Sequence, residues 1–254
     1  MRLSLPDQET YPHAPIIEAV LDIRTRLSAP FSEKLLKKIC DLEIEAYPTF
    51  RRPFQVQFKV ERADPSAEPT SEISSVAHGG AMISKDGRQV FQARPDGFSH
   101  NRLAPYIDWA TFRTEARRLW AVYRDAAKPE SIEFLGLNYN NLFKIPSGVE
   151  IGDYLNAYIQ IPKEIPQTLE IHNFQAQVVD PATDARISII TSFGLLDAEK
   201  MVPVTLNVQA FKFLNKPSAD LDEEEIWLVF EALRDLKNLA FESCISDKVR
   251  ESFR

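Results

Sequence analysis

Apolar and polar residues alternate from Ile16 to Leu27, where Ile17, Ala19, Leu21, Ile23 and Leu27 are interleaved with Glu18, Val20, Asp22, Arg24 and Arg26. A period of two belongs to a strand with one covered and one mostly polar face. Ser32 stands where it can cap a helix whose stripe is Leu35, Leu36, Ile39 and Leu42, and Tyr47-Pro48 ends that helix. Phe54, Val56, Phe58 and Val60 alternate with Gln55, Gln57, Lys59 and Glu61, predicting a second half-buried strand. A loop rich in Pro, Ser and Glu runs from Ala63 to Ser71. A hairpin follows, Val76 to Ser84 and Gln89 to Ala93, turning at Asp86-Gly87, a pair suited to positive φ. Pro95-Asp96-Gly97 marks another turn. A helix is predicted from about Asp108 to Asp125, with Trp109, Phe112, Ala116, Leu119, Trp120 and Tyr123 on one side.

The order then begins again. Ile132 to Ile145 reads as a strand, Val149 to Tyr158 as a short helix, and Ile161 to Pro166 as a connector. Thr168 to Val179 reads as a strand that turns at Asp180–Asp184 into another, Arg186 to Leu195. Val202, Val204, Leu206, Val208 and Ala210 mark one more. A long last helix starts at Asp222, with the stripe Ile226, Val229, Phe230, Leu233, Leu236, Ala240 and Cys244. Residues 1–128 and 129–254 are thus each read as a β-α-β(3)-α unit, an α+β fold in which a curved antiparallel sheet carries its helices on one face. By analogy of element order this is the helix-grip, TATA-binding-protein-like architecture. Two separate α+β domains meeting near Lys128-Pro129 are the competing reading.

Glycine is scarce, 8 residues against 17 prolines, and the only adjacent pair, Gly79-Gly80, leads into the β-like Ala81-Met82-Ile83. No phosphate-cradling loop is therefore expected. Net charge is -7, which argues against a generic polyanion binder. Met1 to Tyr11 has no apolar core of a signal peptide, and no apolar run approaches the roughly 20 residues that span a bilayer. A cytoplasmic protein with Cys40 and Cys244 as reduced thiols, and no membrane partner, is the expectation.

The four histidines, His13, His78, His100 and His172, are not spaced as metal ligands, and no nucleophile-elbow motif occurs. No metal, cofactor or catalytic residue is assigned, and His100–Asp108 and Glu18–Asp22 are read as solvated or capping pairs. His100 and Arg102, in a locally basic stretch, are a candidate anion contact; the alternative is that Arg102 anchors its turn. The uncovered sheet face is expected to carry Arg24, Arg26, Gln55, Gln57, Lys59, Gln175, Gln177, Asn207 and Gln209, a candidate interaction surface. Amides both donate and accept, so such a face suits a polypeptide or a polar macromolecule. The expected function is a non-enzymatic binding module for a protein partner. The alternatives are a nucleic-acid-binding saddle and an enzyme with dispersed catalytic residues. Exposed edge strands leave a homodimer open.

Three segments carry a resemblance. Tyr11-Pro12-His13-Ala14-Pro15-Ile16-Ile17-Glu18-Ala19-Val20, then Phe98-Ser99 with Arg102-Leu103, Pro105-Tyr106, Trp109 and Phe112, and finally Leu236-Lys237-Asn238 through Phe241-Glu242 to Asp247 resemble a sporadically distributed bacterial family of unknown function. The chain departs from that pattern at Asn138-Tyr139-Asn140-Asn141, where arginine is expected near Asn138 and Leu142. The resemblance implies no activity; its patchy distribution points towards mobile or defence-linked genes.

Overall fold

The alternation at the start of the chain becomes β1 (Ile16–Arg26), the middle strand of a nine-stranded antiparallel sheet. The computed structural model describes residues 11–61, 70–162, 164, 166, 172–217 and 222–254, with 54–61, 70–77, 215 and 216 described by backbone alone. Residues 1–10, residues 62–69 with most of the expected loop Ala63 to Ser71, and the expected strand start at 168–171 lie outside the described residues. After β1 come α1 (Glu33–Glu43), β2 (Thr49–Arg51), β3 (Phe54–Glu61), β4 (Thr70–Ala77), β5 (Gly80–Ile83), β6 (Gln89–Arg94), β7 (Gly97–Leu103) and α2 (Trp109–Ala127). The second half supplies β8 (Ser131–Pro146), a 3-10 turn at Ile151–Asp153, β9 (Asn173–Val179), β10 (Arg186–Phe193), β11 (Met201–Pro217), α3 (Glu223–Cys244) and α4 (Asp247–Glu251).

The order across the sheet is β2-β5-β6-β7-β1-β8-β11-β10-β9. β1 pairs with β7 on one side and with β8 on the other. The first strands of the two halves meet at the centre, and the last strand of each half lies beside its first. One sheet spans both sides of Lys128-Pro129. Helices α1, α2 and α3 cover one face, because the alternate positions Ala19, Leu21 and Ile23 of β1 share a core with Leu36, Ile39, Phe112, Leu119, Trp120 and Phe230. A second core joins Phe143, Val204, Leu206 and Val208 to Ala240, Phe241 and Phe253. No described helix is long and apolar enough to cross a membrane.

Three expectations need correction: the helix expected from Val149 to Tyr158 is only a 3-10 turn at Ile151–Asp153, and two concern strands. β3, which carries Gln55, Gln57 and Lys59, does not join the main sheet; it pairs only with β4 in a separate two-stranded ribbon. The breaks are local: Pro53 has no N–H to continue the ladder begun by β2, and the chain returns through Gly79 at φ +76°. The second is β7, a central strand that the pattern does not predict. Its buried run Gly97–Asn101 holds Ser99, His100 and Asn101, so neither face reads as apolar. The helix after it starts where predicted: Asp108 caps α2, its carboxylate accepting from the Thr111 amide at 2.7 Å. Asp108→Ala is expected to cost about 0.5–2 kcal/mol, read as a lower urea midpoint at unchanged slope.

Candidate functional site

Helix α3 builds the site. Its buried positions Ile226, Trp227, Phe230 and Leu233 belong to the first core, and Ala240, Phe241 and Cys244 to the second. Lys237 falls on the same stripe at the seam between them and is only 7% exposed. Its Nζ lies 3.8 Å from the centroid of the Tyr139 ring on β8. Among the described residues, no hydrogen bond or ion pair reaches that amine. Burial pushes its pKa down to about 7, the nearby Arg234 charge acts in the same direction, and Glu242 opposes them. The hydroxyls of Tyr139 and Tyr106 are 2.9 Å apart, and burial raises both phenols, Tyr106 to about 12.

A cleft of about 910 Å3 opens beside these groups. Three stretches remote in sequence wall it: Tyr11 to Ile16, Ala104 to Trp109, and the part of α3 and α4 from Arg234 to Arg250. Backbone bonds bring them together. The Leu142 amide donates to Pro15 O at 2.9 Å, Ala104 to Ile17 O at 3.0 Å, and His13 to Phe253 O at 3.0 Å. Tyr106, Trp109, Tyr139 and Phe241 make much of the lining aromatic.

The cleft lining carries three acids, Asp108, Glu242 and Asp247, and three cations, Arg234, Lys237 and Arg250, but they are not evenly paired. Arg250 is matched, donating to Glu242 and lying against Asp247. Asp108 is spent as a helix cap. Glu231 accepts from the Trp109 indole at 2.9 Å and from Arg113. Arg234 has looser partners, Glu231 at 3.9 Å and Asp235 at 3.7 Å, and its guanidinium sits 6.0 Å from the Trp109 ring centroid. Arg234 and Lys237 are the cations of the lining that lack a close carboxylate partner.

The expected interaction residues are placed elsewhere. Register puts Gln175, Asn207, Asn140 and Glu18 in one row across the bare face, and Gln177, Gln209 and Asn138 in the next. Several of these amides are already paired. Asn207 donates to Asn138 at 2.7 Å and also to Asn140, while Asn140 and Asn101 donate to the two oxygens of Glu18 at 2.9 and 2.8 Å. Gln175 and Gln177 are exposed on the edge strand β9. Arg24 contacts Asp22 and lies 4.5 Å above the Phe134 ring, and Arg26 pairs with Glu133 at 3.0 Å. The side chains of Gln55, Gln57 and Lys59 lie outside the described residues.

His100, expected as an anion contact, presents no exposed face to an anion. It is fully buried beneath α2, stacked on Phe112 at 5.1 Å, and burial lowers its pKa to about 4, so it is a neutral core residue. Arg102 lies on the same covered face, directed to Pro105 O at 3.4 Å and Asp86 at 3.8 Å; it anchors the turn into α2. Cys40 and Cys244 are free thiols, and burial raises the latter to about 11. Among the described residues no three His, Cys, Asp or Glu side chains converge as a metal site. Sequence reasoning missed Lys237, although one signal was present: a charged residue at a position of the α3 stripe.

No family model matches the chain, and no curated protein matches it. Among solved structures, the crystal structure of DynU16, from the dynemicin biosynthetic locus, is similar over 90% of this chain and 98% of its own, at 9% identity and a TM-score of 0.23. So slight a likeness carries no argument about fold or function.

Proposed function

We propose that the protein is a binding module for a small, partly apolar organic acid, held in the cleft between the Tyr11–Ile16 segment and α3. The amine of Lys237 carries this reading: the residue is largely buried at the cleft wall, and apart from the Tyr139 ring face its amine has no hydrogen-bond or ion-pair partner among the described residues. An ammonium removed from water without a counter-ion costs several kcal/mol. A carboxylate occupant would supply that counter-ion, with Arg234 beside it. The aromatic walls suit an apolar body. The three segments that resemble the bacterial family each reach this cleft, which supports treating it as the functional centre. The element order, with first strands meeting at the seam, likewise supports the helix-grip, TATA-binding-protein-like reading of the fold.

Trp109 lines the cleft and reports on occupancy. Benzoate is expected to change tryptophan fluorescence saturably, and Lys237→Met to weaken that binding by at least ~10-fold. No saturable change with benzoate or cyclohexanecarboxylate at millimolar concentration would reject the reading.

A protein partner on the bare sheet face is the second reading. It is favoured by Phe213, 53% exposed beside Phe134 and Phe211, with Arg186 over its ring. A nucleic-acid saddle has less support, since Arg24, Arg26 and Arg186 each already face an acid.

A further inference from the structure

An amine placed as Lys237 is has two protonation states, and its surroundings treat them differently. The charged form needs a counter-ion. Glu242 is the acid that acts on it, but that carboxylate already accepts from Tyr11 and Arg250. Arg234, three residues back on α3, repels a second positive charge. The Tyr106 and Tyr139 hydroxyls are committed to each other. The neutral form leaves a lone pair that no described donor occupies, on a residue that lines a cleft with several aromatic side chains. A desolvated neutral lysine is the form that attacks carbonyl carbon.

We propose that Lys237 captures the carbonyl carbon of a small oxo acid as a reversible imine, the ligand's carboxylate resting on Arg234; this rests on the cleft being the ligand site. The Nζ lone pair forms the C–N bond while the carbonyl oxygen takes a proton, giving a carbinolamine. The C–O bond then breaks and the oxygen leaves as water. Both hydrogens of that water come, in net, from the amine, so no oxidant or reductant is needed. Hydrolysis by the reverse path releases the ligand. The Tyr139 ring face, 3.8 Å from Nζ, favours the positive charge of the protonated imine.

The test uses the full chain with para-carboxybenzaldehyde, an aromatic aldehyde acid, followed by sodium borohydride to fix any imine as a secondary amine. Peptide mass mapping then locates the label. The expected result is an adduct concentrated on Lys237, suppressed by excess benzoate and lost in Lys237→Arg. The wild-type map needs no variant, so misfolding of Lys237→Arg leaves the result intact. Label spread over surface lysines with Lys237 untouched, while benzoate still binds, overturns the imine and spares the binding reading. Absence of both adduct and benzoate binding overturns the two together. Label on Lys237 that benzoate does not suppress overturns the oxo-acid site.

Discussion

Lys237→Met should raise the thermal unfolding midpoint at pH 7 by roughly 5–10 °C, an unusual sign for a change inside a packed seam. The reason is proton linkage. The Lys237 pKa falls from 10.5 when unfolded to about 7 when folded. Between those values the unfolded chain holds a proton that the folded chain does not, so stability rises with pH across that window. Below the folded value both states are charged, and the penalty is present in full. At about 1.4 kcal/mol per pKa unit, the penalty near neutrality is about 2–4 kcal/mol after allowing for relaxation around the amine. Methionine keeps the length and apolar stem without the charge. The gap between variant and wild type should be constant below pH 7 and narrow steadily towards pH 10. Melts at a series of pH values measure this; a variant no more stable than wild type, with a gap independent of pH, would show that the amine is well solvated. Benzoate should narrow the same gap from the wild-type side, since a ligand that binds only the folded state adds to its stability.

The second large effect concerns the backbone. Gly97→Val should lower stability by at least ~3 kcal/mol, enough to remove most folded protein from a soluble preparation. Gly97 opens β7 at φ +141°, and a Cβ there would stand 2.1 Å from the Ile23 carbonyl oxygen. That oxygen belongs to β1, the strand on which both halves of the sheet are registered, so it has no room to retreat. Gly87 provides the contrast. It also has positive φ, +71°, but nothing lies within 4 Å of its missing Cβ. Gly87→Ala should therefore cost only about 1 kcal/mol, the price of the left-handed backbone alone. Urea titration of both variants separates steric from conformational cost. Equal losses would mean that the β1–β7 contact yields.

The fold was legible where one face of an element is apolar throughout. Ala19, Leu21 and Ile23 revealed β1, and Phe112, Ala116, Leu119 and Tyr123 revealed α2, because burial and periodicity coincide there. β7 was hidden by Ser99 and Asn101, which are buried although polar: Ser99 donates to Asn101, and Asn101 donates to Glu18. β3 was legible as a strand but not in its place, since alternation does not say which sheet a strand joins. The cleft was harder still. Its walls come from the start, the middle and the end of the chain, and no local pattern encodes their meeting. Lys237 falls on the apolar stripe of α3, a signal that a charged residue is covered, and the packing of α3 across two cores shows by what. The bare face was located correctly by alternation for Gln175, Asn207 and Gln209. Its amides could not be known to satisfy one another until cross-strand register placed Asn207 between Asn138 and Asn140.

The central pairing of β1 with β8 also orders events during synthesis. β1 emerges from the ribosome before its partners and acquires β7 once Leu103 is made, yet its other edge has no ladder until Ser131–Pro146 follows. For that interval the nascent chain displays an open strand edge of eleven residues. Such an edge can recruit a neighbouring chain on the same message. Arg24 and Arg26, at the end of that strand, are charged side chains of the kind that discourage such encounters while translation continues.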